Sequence, residues 1–345
     1  MPIQREILFY TCGDSYQLST WSNVPYLFAK ALERKGFTLH RIDISPNERL
    51  NHLFNSLCFL IFKRILHLRS CPVFHRTWLH RFITYRHLKK AAKDYPNSEM
   101  NLFLSFAFTN IYSPKPNILW CDWTDRIVIQ RLGRSPQWFE KRSLAHEDIV
   151  MKKADLVYTM FPKCQRQMEK MYGREIEYLH RNVINTVYDD TYDHEKNIKV
   201  RLSSNKLLFI GNHRYISGAF RLIKAFQCIR KSYPQLELHL IGLGTADIPT
   251  MDNVYCHGYL HKDHPQEKEL YYDLLLGCRC VINPTIGWAG YSSCVEAMYY
   301  GCPVIISPYD DFTEEFGNDI DFGYFCNDDD LEEKLSLILD TTKYT

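Results

Sequence analysis

Short apolar runs alternate with amphipathic runs along the second half of the chain. The strand-like runs occupy five segments: 206–210, 236–241, 254–257, 280–283 and 304–307. The helix-like runs fill three segments between them: 217–232, 270–277 and 293–300. This alternation predicts a parallel sheet covered by helices, because each helix returns the chain to the edge where the next strand begins. Such sheets bind ligands outside the carboxyl ends of their strands, so we expect the binding loops there.

The first half of the chain begins with the same pattern. Residues 6–10 predict a buried strand, 24–35 predict an amphipathic helix that Gly36 ends, and 37–44 predict a second strand. Further strands are predicted in four segments: 101–105, 117–120, 156–159 and 177–179. The first half is therefore also predicted to be α/β.

Length and composition favour two domains. The chain has 345 residues, which exceeds one ordinary core, and 46% of them are apolar. The stretch 186–205 is polar and has no sustained apolar period, so we predict an interdomain linker there. The predicted domains are 1–188 and 189–345, two Rossmann-like α/β domains that face a cleft.

Charge, cysteines and hydropathy exclude several classes of protein. The formal charge is only +2, from 42 basic and 40 acidic residues, which does not indicate a nucleic-acid binder. The twelve cysteines form no C-x-x-C pair, so reduced thiols are expected, buried at Cys278 and Cys280. The sequence shows no signal peptide and no apolar run near the ~20 residues of a membrane span. A cytoplasmic location is the expectation.

A glycine-bearing segment, 287–303, follows the strand that ends at Asn283. A helix is predicted to begin near Ser293, and its first amides and dipole suit an anion such as a sugar diphosphate. Two interpretations of Glu296 stay open. Glu296 contacts the bound ligand, or it closes the helix start together with Ser293, because the two have capping-box spacing.

The order of these segments, from 205 to about 338, resembles the donor half of the retaining family-four glycosyltransferases, which have the GT-B fold. The resemblance rests on four motifs in the family's order: Leu207-Leu-Phe-Ile-Gly211-Asn212-His213-Arg214, Gly242-Leu-Gly244, Val254-Tyr-Cys-His-Gly258-Tyr259, and Glu296-Ala-Met-Tyr-Tyr-Gly-Cys-Pro. It implies an enzyme that moves a sugar from a nucleotide-sugar donor to a saccharide or lipid-linked acceptor, with retention, in glycan or glycoconjugate synthesis.

The resemblance also implies a donor site. Its predicted members are Gly211, Asn212, His213, Gly258, Tyr259, Ala289, Gly290, Tyr291, Ser292, Ser293 and Glu296. Glu296 corresponds to the glutamate that binds the donor ribose, and Gly258-Tyr259 to the segment that contacts the base. No cofactor and no metal are expected, because helix amides and basic side chains position the diphosphate in this family. A zinc site at Cys256, His257, His261 and His264 is a poor alternative, and so is a D-x-D site at Asp319-Ile-Asp321.

Three positions depart from the family pattern. Trp288 stands where an acidic residue holds the donor sugar, and Asn212 and Ser217 stand where Arg and Lys neutralise the diphosphate. Arg214 is predicted to replace them as a catalytic residue, because a guanidinium binds phosphate bidentately; a solvated loop charge is the alternative. The departures leave open an unusual donor, such as a monophosphate-linked sugar. They also leave open a non-catalytic paralogue that acts as a partner or regulatory subunit.

The acceptor side is predicted in the first half, where the resemblance is looser. The first strand-to-helix loop, 13–21, is expected to line it through Gly13, Asp14 and Ser15. Asp122, after the strand 117–120, is the second catalytic candidate, with a helix cap as the alternative. His180 or Arg181 faces either the cleft or the surface.

The stretch 51–93 holds nine Lys or Arg residues and no Asp or Glu, interleaved with aromatic residues. Basic heads on apolar bodies suit an anionic membrane surface, each basic residue contributing about 1 kcal/mol. A solvated helix face is the main alternative, and a nucleic-acid groove ranks third. We therefore predict peripheral placement on the inner membrane face.

Overall fold

The computed structural model describes residues 5–68, 70–179, 184–188, 192–287 and 290–340. The chain forms two compact units, Met1–Asn182 and Val183–Thr345. Each unit contains one six-stranded sheet, and every strand pairing in both sheets is parallel.

The first unit has strand order β2-β1-β3-β4-β5-β6. Its strands are β1 (Arg5–Thr11), β2 (Phe37–Asp43), β3 (Met100–Phe103), β4 (Asn117–Cys121), β5 (Leu156–Thr159) and β6 (Glu177–Tyr178). Its α-helices are α1 (Val24–Arg34), α2 (Glu48–Cys58), α3 (Trp78–Asp94), α4 (Asp125–Arg131), α5 (Trp138–Lys153) and α6 (Pro162–Tyr172). A π-helical segment, Phe59–Ile65, continues α2, and short 3₁₀ turns occupy Thr20–Asn23 and Phe74–Arg76.

The second unit has strand order β12-β11-β10-β7-β8-β9. Its strands are β7 (Lys206–Ile210), β8 (Glu237–Ile241), β9 (Val254–Gly258), β10 (Cys280–Asn283), β11 (Val304–Ile306) and β12 (Gly323–Phe325). Its α-helices are α7 (His194–Ser203), α8 (Ile216–Ile229), α9 (Pro265–Gly277), α10 (Tyr291–Tyr299), α11 (Asp310–Phe316) and α12 (Leu331–Leu339). A 3₁₀ turn, His213–Tyr215, precedes α8.

The core of the second unit lies between its sheet and α8. Leu207 and Phe209 of β7 are fully buried in one apolar cluster with Phe226 of α8. Gly218 allows α8 to approach the loop after β10, because a methyl group there would lie 2.1 Å from Thr285 Oγ1. This close approach fixes the start of α8 beside the carboxyl ends of the central strands.

The predicted fold class, two Rossmann-like α/β domains, is confirmed. The strands 156–159, 206–210 and 280–283 have their predicted bounds. The polar stretch predicted as a linker, however, contains the helix α7. Hydrogen bonds rather than an apolar period hold α7, because the buried guanidinium of Arg201 donates to the carbonyl oxygens of Leu275 and Cys278.

Candidate functional site

The loops after β7 and β10 meet at the carboxyl edge of the second sheet. Asn283 Nδ2 donates to Ile210 O across 3.2 Å and so ties the ends of the two strands together. Gly290 sits above this junction with φ +68°, and a methyl group there would lie 3.1 Å from Asn283 Nδ2. Glycine is required at this position by both the backbone angle and the space. The start of α10 is therefore placed beside the end of β7.

Gly242 contacts both Gly211 and Gly258 at the same edge. Gly242 has φ +93°, and a methyl group there would lie 2.6 Å from Gly211 O. The Gly242 N–H donates to Gly258 O at 2.6 Å, and the Gly258 N–H donates to Leu243 O at 2.9 Å. The predicted residues Gly211 and Gly258 are thus brought to one edge of the sheet, with the half-exposed ring of Tyr259 next to Gly258.

The helix α10 begins at Tyr291, with Gly290 as its N-cap. The N–H groups of Ser293 and Cys294 donate to Gly290 O at 3.1 and 3.2 Å, and Ser293 Oγ donates to the same oxygen. Glu296 is the sixth residue of the helix, so the capping-box interpretation of Ser293 and Glu296 is wrong. The backbone of Tyr291 and Ser292 occupies the first two helical positions, where the positive end of the helix dipole lies.

Of these predicted donor-site residues, Tyr291 has a side chain that belongs to the core. Its ring is buried and lies 6.0 Å from the ring of Phe312 in α11. Only the backbone of Tyr291 is therefore placed to contact a ligand at the helix start.

The carboxylate of Glu296 is enclosed by three side chains. Lys262 Nζ lies 2.9 Å from both carboxylate oxygens, Tyr271 Oη donates to Oε2 at 2.7 Å, and Tyr272 Oη donates to Oε1 at 3.0 Å. These donors leave Glu296 only 2% exposed. None of the three partners was predicted from the sequence.

Burial sets the protonation of this cluster. Burial lowers the pKa of Lys262, and the Glu296 carboxylate opposes that shift. Burial and the nearby Glu296 raise the pKa of Tyr271 well above its ordinary value, and the pKa of Tyr272 is raised for the same reasons. Both phenols therefore stay protonated and donate to the carboxylate.

Arg214 lies at the surface near the end of β7. Asn212 Oδ1 accepts from the Arg214 N–H at 3.0 Å, so Asn212 caps the short turn that carries His213 and Arg214. The exposed His213 ring lies 3.5 Å from Asp247 Oδ1. The Arg214 guanidinium pairs with no carboxylate within the described part of the chain.

The predicted acceptor-side residues lie in the loop after β1. The Gly13 N–H donates to Asp43 Oδ1 at 2.9 Å, and Asp14 Oδ1 accepts from the Tyr16 N–H at 2.9 Å. Ser15 is buried, and its carbonyl oxygen accepts from Arg41 at 3.0 Å. Its side chain therefore does not face solvent as an acceptor-binding group would.

Asp122 follows β4 at the carboxyl edge of the first sheet. Its Oδ1 accepts from the Trp123 N–H at 2.8 Å and from Cys121 Sγ at 3.1 Å. The helix-cap alternative for Asp122 is wrong, because Thr124 is the N-cap of α4 and accepts from the Ile127 N–H at 3.2 Å. Burial and Asp122 together raise the pKa of the Cys121 thiol well above its usual value, which makes this thiol a poor nucleophile.

Ala289, Trp288, His180 and Arg181 lie outside the described residues. Among the residues that the structure describes, no three His, Cys, Asp or Glu side chains converge as metal ligands. His257 instead lies 3.0 Å from a ring nitrogen of His239. No helix within the described ranges is long and apolar enough to cross a bilayer.

Residues 204–341 match the sequence profile of the family "Glycosyl transferases group 1". No curated protein sequence matches the chain significantly. Among solved structures, a glycosyltransferase from Rickettsia africae ESF-5 has a TM-score of 0.62 at 14% identity, covering 99% of this chain and 91% of its own. WaaG, a glycosyltransferase involved in lipopolysaccharide biosynthesis, has a TM-score of 0.59 at 13% identity, covering 97% of this chain and 90% of its own.

The S. aureus protein TarM has a TM-score of 0.51 at 15% identity, covering 75% of this chain. This chain spans only 51% of the length of TarM. At such identities the structures establish the fold alone. The resemblance drawn from the motifs is confirmed at the level of the family: residues 204–341 match the glycosyl transferases group 1.

Proposed function

We propose that the chain transfers a sugar from a nucleotide-sugar donor to a saccharide or lipid-linked acceptor, with retention and without a metal. One observation carries the proposal: in the domain that matches the family, Gly290 places the start of α10 against the end of β7. A helix start at the carboxyl edge of a parallel sheet favours a phosphate group, because amides and the helix dipole point toward it.

In the proposed mechanism the leaving phosphate takes the proton of the incoming hydroxyl group, so no protein nucleophile is needed. The amides of Tyr291 and Ser292 stabilise the negative charge that develops on the leaving phosphate. Arg214, which has no carboxylate partner in the described ranges, adds a positive charge from the loop after β7. Charge stabilisation of this kind is commonly the largest contribution of a protein to group transfer.

Glu296 is proposed to bind the ribose hydroxyl groups of the donor. Lys262 holds both carboxylate oxygens, so ribose binding requires the ammonium to release at least one of them. The two tyrosine hydroxyls keep the carboxylate oriented while this exchange takes place. Lys262 therefore acts as a positioning residue that occupies the ribose site in the absence of donor.

The acceptor side is proposed for the first unit, near Gly13, Asp14 and Asp122 at the carboxyl edge of its sheet. A lipid-linked acceptor fits the exposed apolar and basic side chains of 51–93, and WaaG offers a precedent in lipopolysaccharide biosynthesis. We accordingly propose a cytoplasmic enzyme that lies on the inner membrane face.

A second candidate function is a non-catalytic partner or regulatory subunit with the same fold. The closed cluster around Glu296 favours it, because a carboxylate saturated by Lys262, Tyr271 and Tyr272 is stable without a donor. The uncharged Asn212 and Ser217 at the diphosphate positions point the same way.

A thermal-shift screen with uridine, guanosine, adenosine and cytidine sugar nucleotides separates the two candidates. Binding to the native state raises its apparent stability by about 2.7 kcal/mol at a hundredfold excess over Kd. The transferase proposal predicts that one base gives a saturable shift, and that radiolabelled sugar from that donor enters a lipid or glycan fraction. A shift without turnover supports the regulatory subunit, and no shift with any nucleotide rejects the donor site.

A further inference from the structure

The first unit contains a cavity of about 290 Å³ between residues 71–81 and the start of α5. Three arginines and three aromatic residues contribute to its lining: Arg76, Arg81, Arg142, Trp78, Trp138 and Phe139. None of the lining residues belongs to the proposed donor site, whose residues are all in the second unit. One wall, 71–81, lies within the basic stretch 51–93 described above, whereas the wall formed by α5 was not predicted from the sequence.

The positive charge in this cavity is only partly neutralised. Arg76 pairs with Asp125 at 2.6 Å, and Glu140 is held by two hydrogen bonds of 2.7 Å from Arg134. Arg81 donates only to the backbone oxygen of Arg142, at 3.3 Å, and Arg81 Nε is buried without a hydrogen-bond partner in the described ranges. Neither Arg81 nor Arg142 pairs with a carboxylate among the described residues.

The two guanidinium groups also repel one another. Burial lowers the pKa of Arg81, and the nearby Arg142 lowers it further. Like charges held together beside an unsatisfied donor are stabilised by an anion that bridges them. The chemistry of the cavity is therefore that of a phosphate site with aromatic walls.

The rim of the cavity is apolar and exposed. Trp78 is 61% exposed and Trp138 is 68% exposed. The segment 53–60 adds a stripe of exposed leucines at helical spacing, Leu53, Leu57 and Leu60. Phe62 joins this stripe to the cavity, because its ring lies 5.5 Å from Phe139 and 6.4 Å from Trp138. Contiguous exposed apolar residues of this kind mark interaction sites rather than an ordinary solvated surface.

We propose that this cavity binds the phosphodiester headgroup of an anionic phospholipid. Arg81 and Arg142 contact the phosphate, Trp78 and Trp138 lie at the level of the headgroups, and the leucine stripe enters the acyl boundary. Tryptophan is enriched at this depth of a bilayer because it has an apolar ring and a polar N–H. The inference rests on the membrane placement proposed above and is independent of the donor site.

A nucleic acid fits the same features less well. Proteins hold single-stranded nucleic acids by stacking the bases on aromatic rings along a positively charged groove. The leucine stripe offers no ring for stacking, whereas acyl chains cover aliphatic side chains readily.

The test is co-sedimentation of the full chain with vesicles of pure phosphatidylcholine or with 30% phosphatidylglycerol, at fixed salt. The double variant Arg81→Gln/Arg142→Gln is compared with Lys152→Gln/Lys153→Gln. The second pair removes the same charge from exposed positions in the last turn of α5, outside the basic stretch 51–93, and does not line the cavity. We expect the cavity variant to lose at least 20-fold in affinity for the anionic vesicles, and the control variant to lose fivefold or less.

Two further arms complete the experiment. The single variant Arg142→Gln alters an exposed side chain and keeps the fold, and it should lose at least fivefold. Equal losses in both double variants, or tighter binding to a single-stranded oligonucleotide than to the vesicles, would overturn the proposal. The thermal shift with the sugar nucleotide should be the same in all variants, so failure of the donor site leaves this test unaffected.

Discussion

Glycines in the second unit act through contact as much as through backbone freedom. Gly218 has an ordinary helical conformation, yet a methyl group there would lie 2.1 Å from Thr285 Oγ1 and 2.8 Å from Thr285 N. Because Thr285 N is a backbone atom, rotation of the Thr285 side chain alone would not relieve the contact. The local sequence does not reveal this contact, because Thr285 lies 67 residues later in the chain.

Gly218→Ala should lower the free energy of unfolding by about 2 kcal/mol, because it overpacks the junction between α8 and this loop. Urea unfolding followed by circular dichroism measures the loss. The matched control is Gly277→Ala in α9, where a methyl group meets nothing within 4 Å. That variant should be neutral or more stable by up to about 1 kcal/mol. Similar losses in both variants would contradict the packing argument.

The contact between Lys262 and Glu296 is the second feature at the scale of single residues. Lys262→Met should lower the free energy of unfolding by about 3 kcal/mol, because it leaves a buried carboxylate without its counter-ion. Adding Glu296→Gln removes the charge, and the double variant should recover at least half of that loss. A double-mutant cycle from urea unfolding measures the coupling. If the effects of the two single substitutions on the free energy of unfolding simply add, the interaction between the two side chains contributes no stability.

At the scale of elements, local patterns predict most strands and several helix bounds. Apolar runs such as 156–159 and 280–283 define buried strands without help from distant residues. The helix α7 was not predicted, because one buried arginine, Arg201, holds it in place rather than an apolar face. The start of α10 lies two residues before its predicted place, because Gly290 rather than Ser293 precedes the first turn.

The stability of the first unit depends on pH through Glu147 of α5. This glutamate is buried, it accepts from Tyr172 Oη and the Asp125 N–H, both at 2.6 Å, and burial raises its pKa to about 7. A folded-state pKa above the unfolded value means that the protonated form stabilises the fold. This stability is present near pH 4.5 and is lost as the pH rises through 7.

Glu147→Gln should remove this dependence, because the amide mimics the protonated acid. Relative to the variant, the wild-type chain should lose about 3 kcal/mol between pH 4.5 and pH 8. Urea unfolding of both proteins at the two pH values measures the difference, and effects of other groups cancel in the comparison. A constant difference across this range would show that folding does not change the pKa of Glu147.

At the scale of the whole molecule, the sequence predicted the fold better than the site. The two Rossmann-like units follow from alternating patterns that are visible in short windows. The cluster around Glu296 does not, because Lys262 and Tyr271 lie 34 and 25 residues away along the chain. The sequence pattern identifies tyrosines inside a helix only as core residues. Their hydroxyl groups reach the Glu296 carboxylate only in the folded structure.

The central claim is that the edge formed by Gly211, Gly290 and Glu296 binds a nucleotide-sugar donor. Calorimetric titration of the full chain with the sugar nucleotide selected by thermal shift tests it, with Glu296→Gln and the exposed control Glu333→Gln in parallel. We predict one saturable site, a loss of affinity of at least tenfold in Glu296→Gln with the fold intact, and no change in Glu333→Gln. Equal affinity in all three proteins would contradict the proposed site, and heat of dilution alone would contradict donor binding altogether.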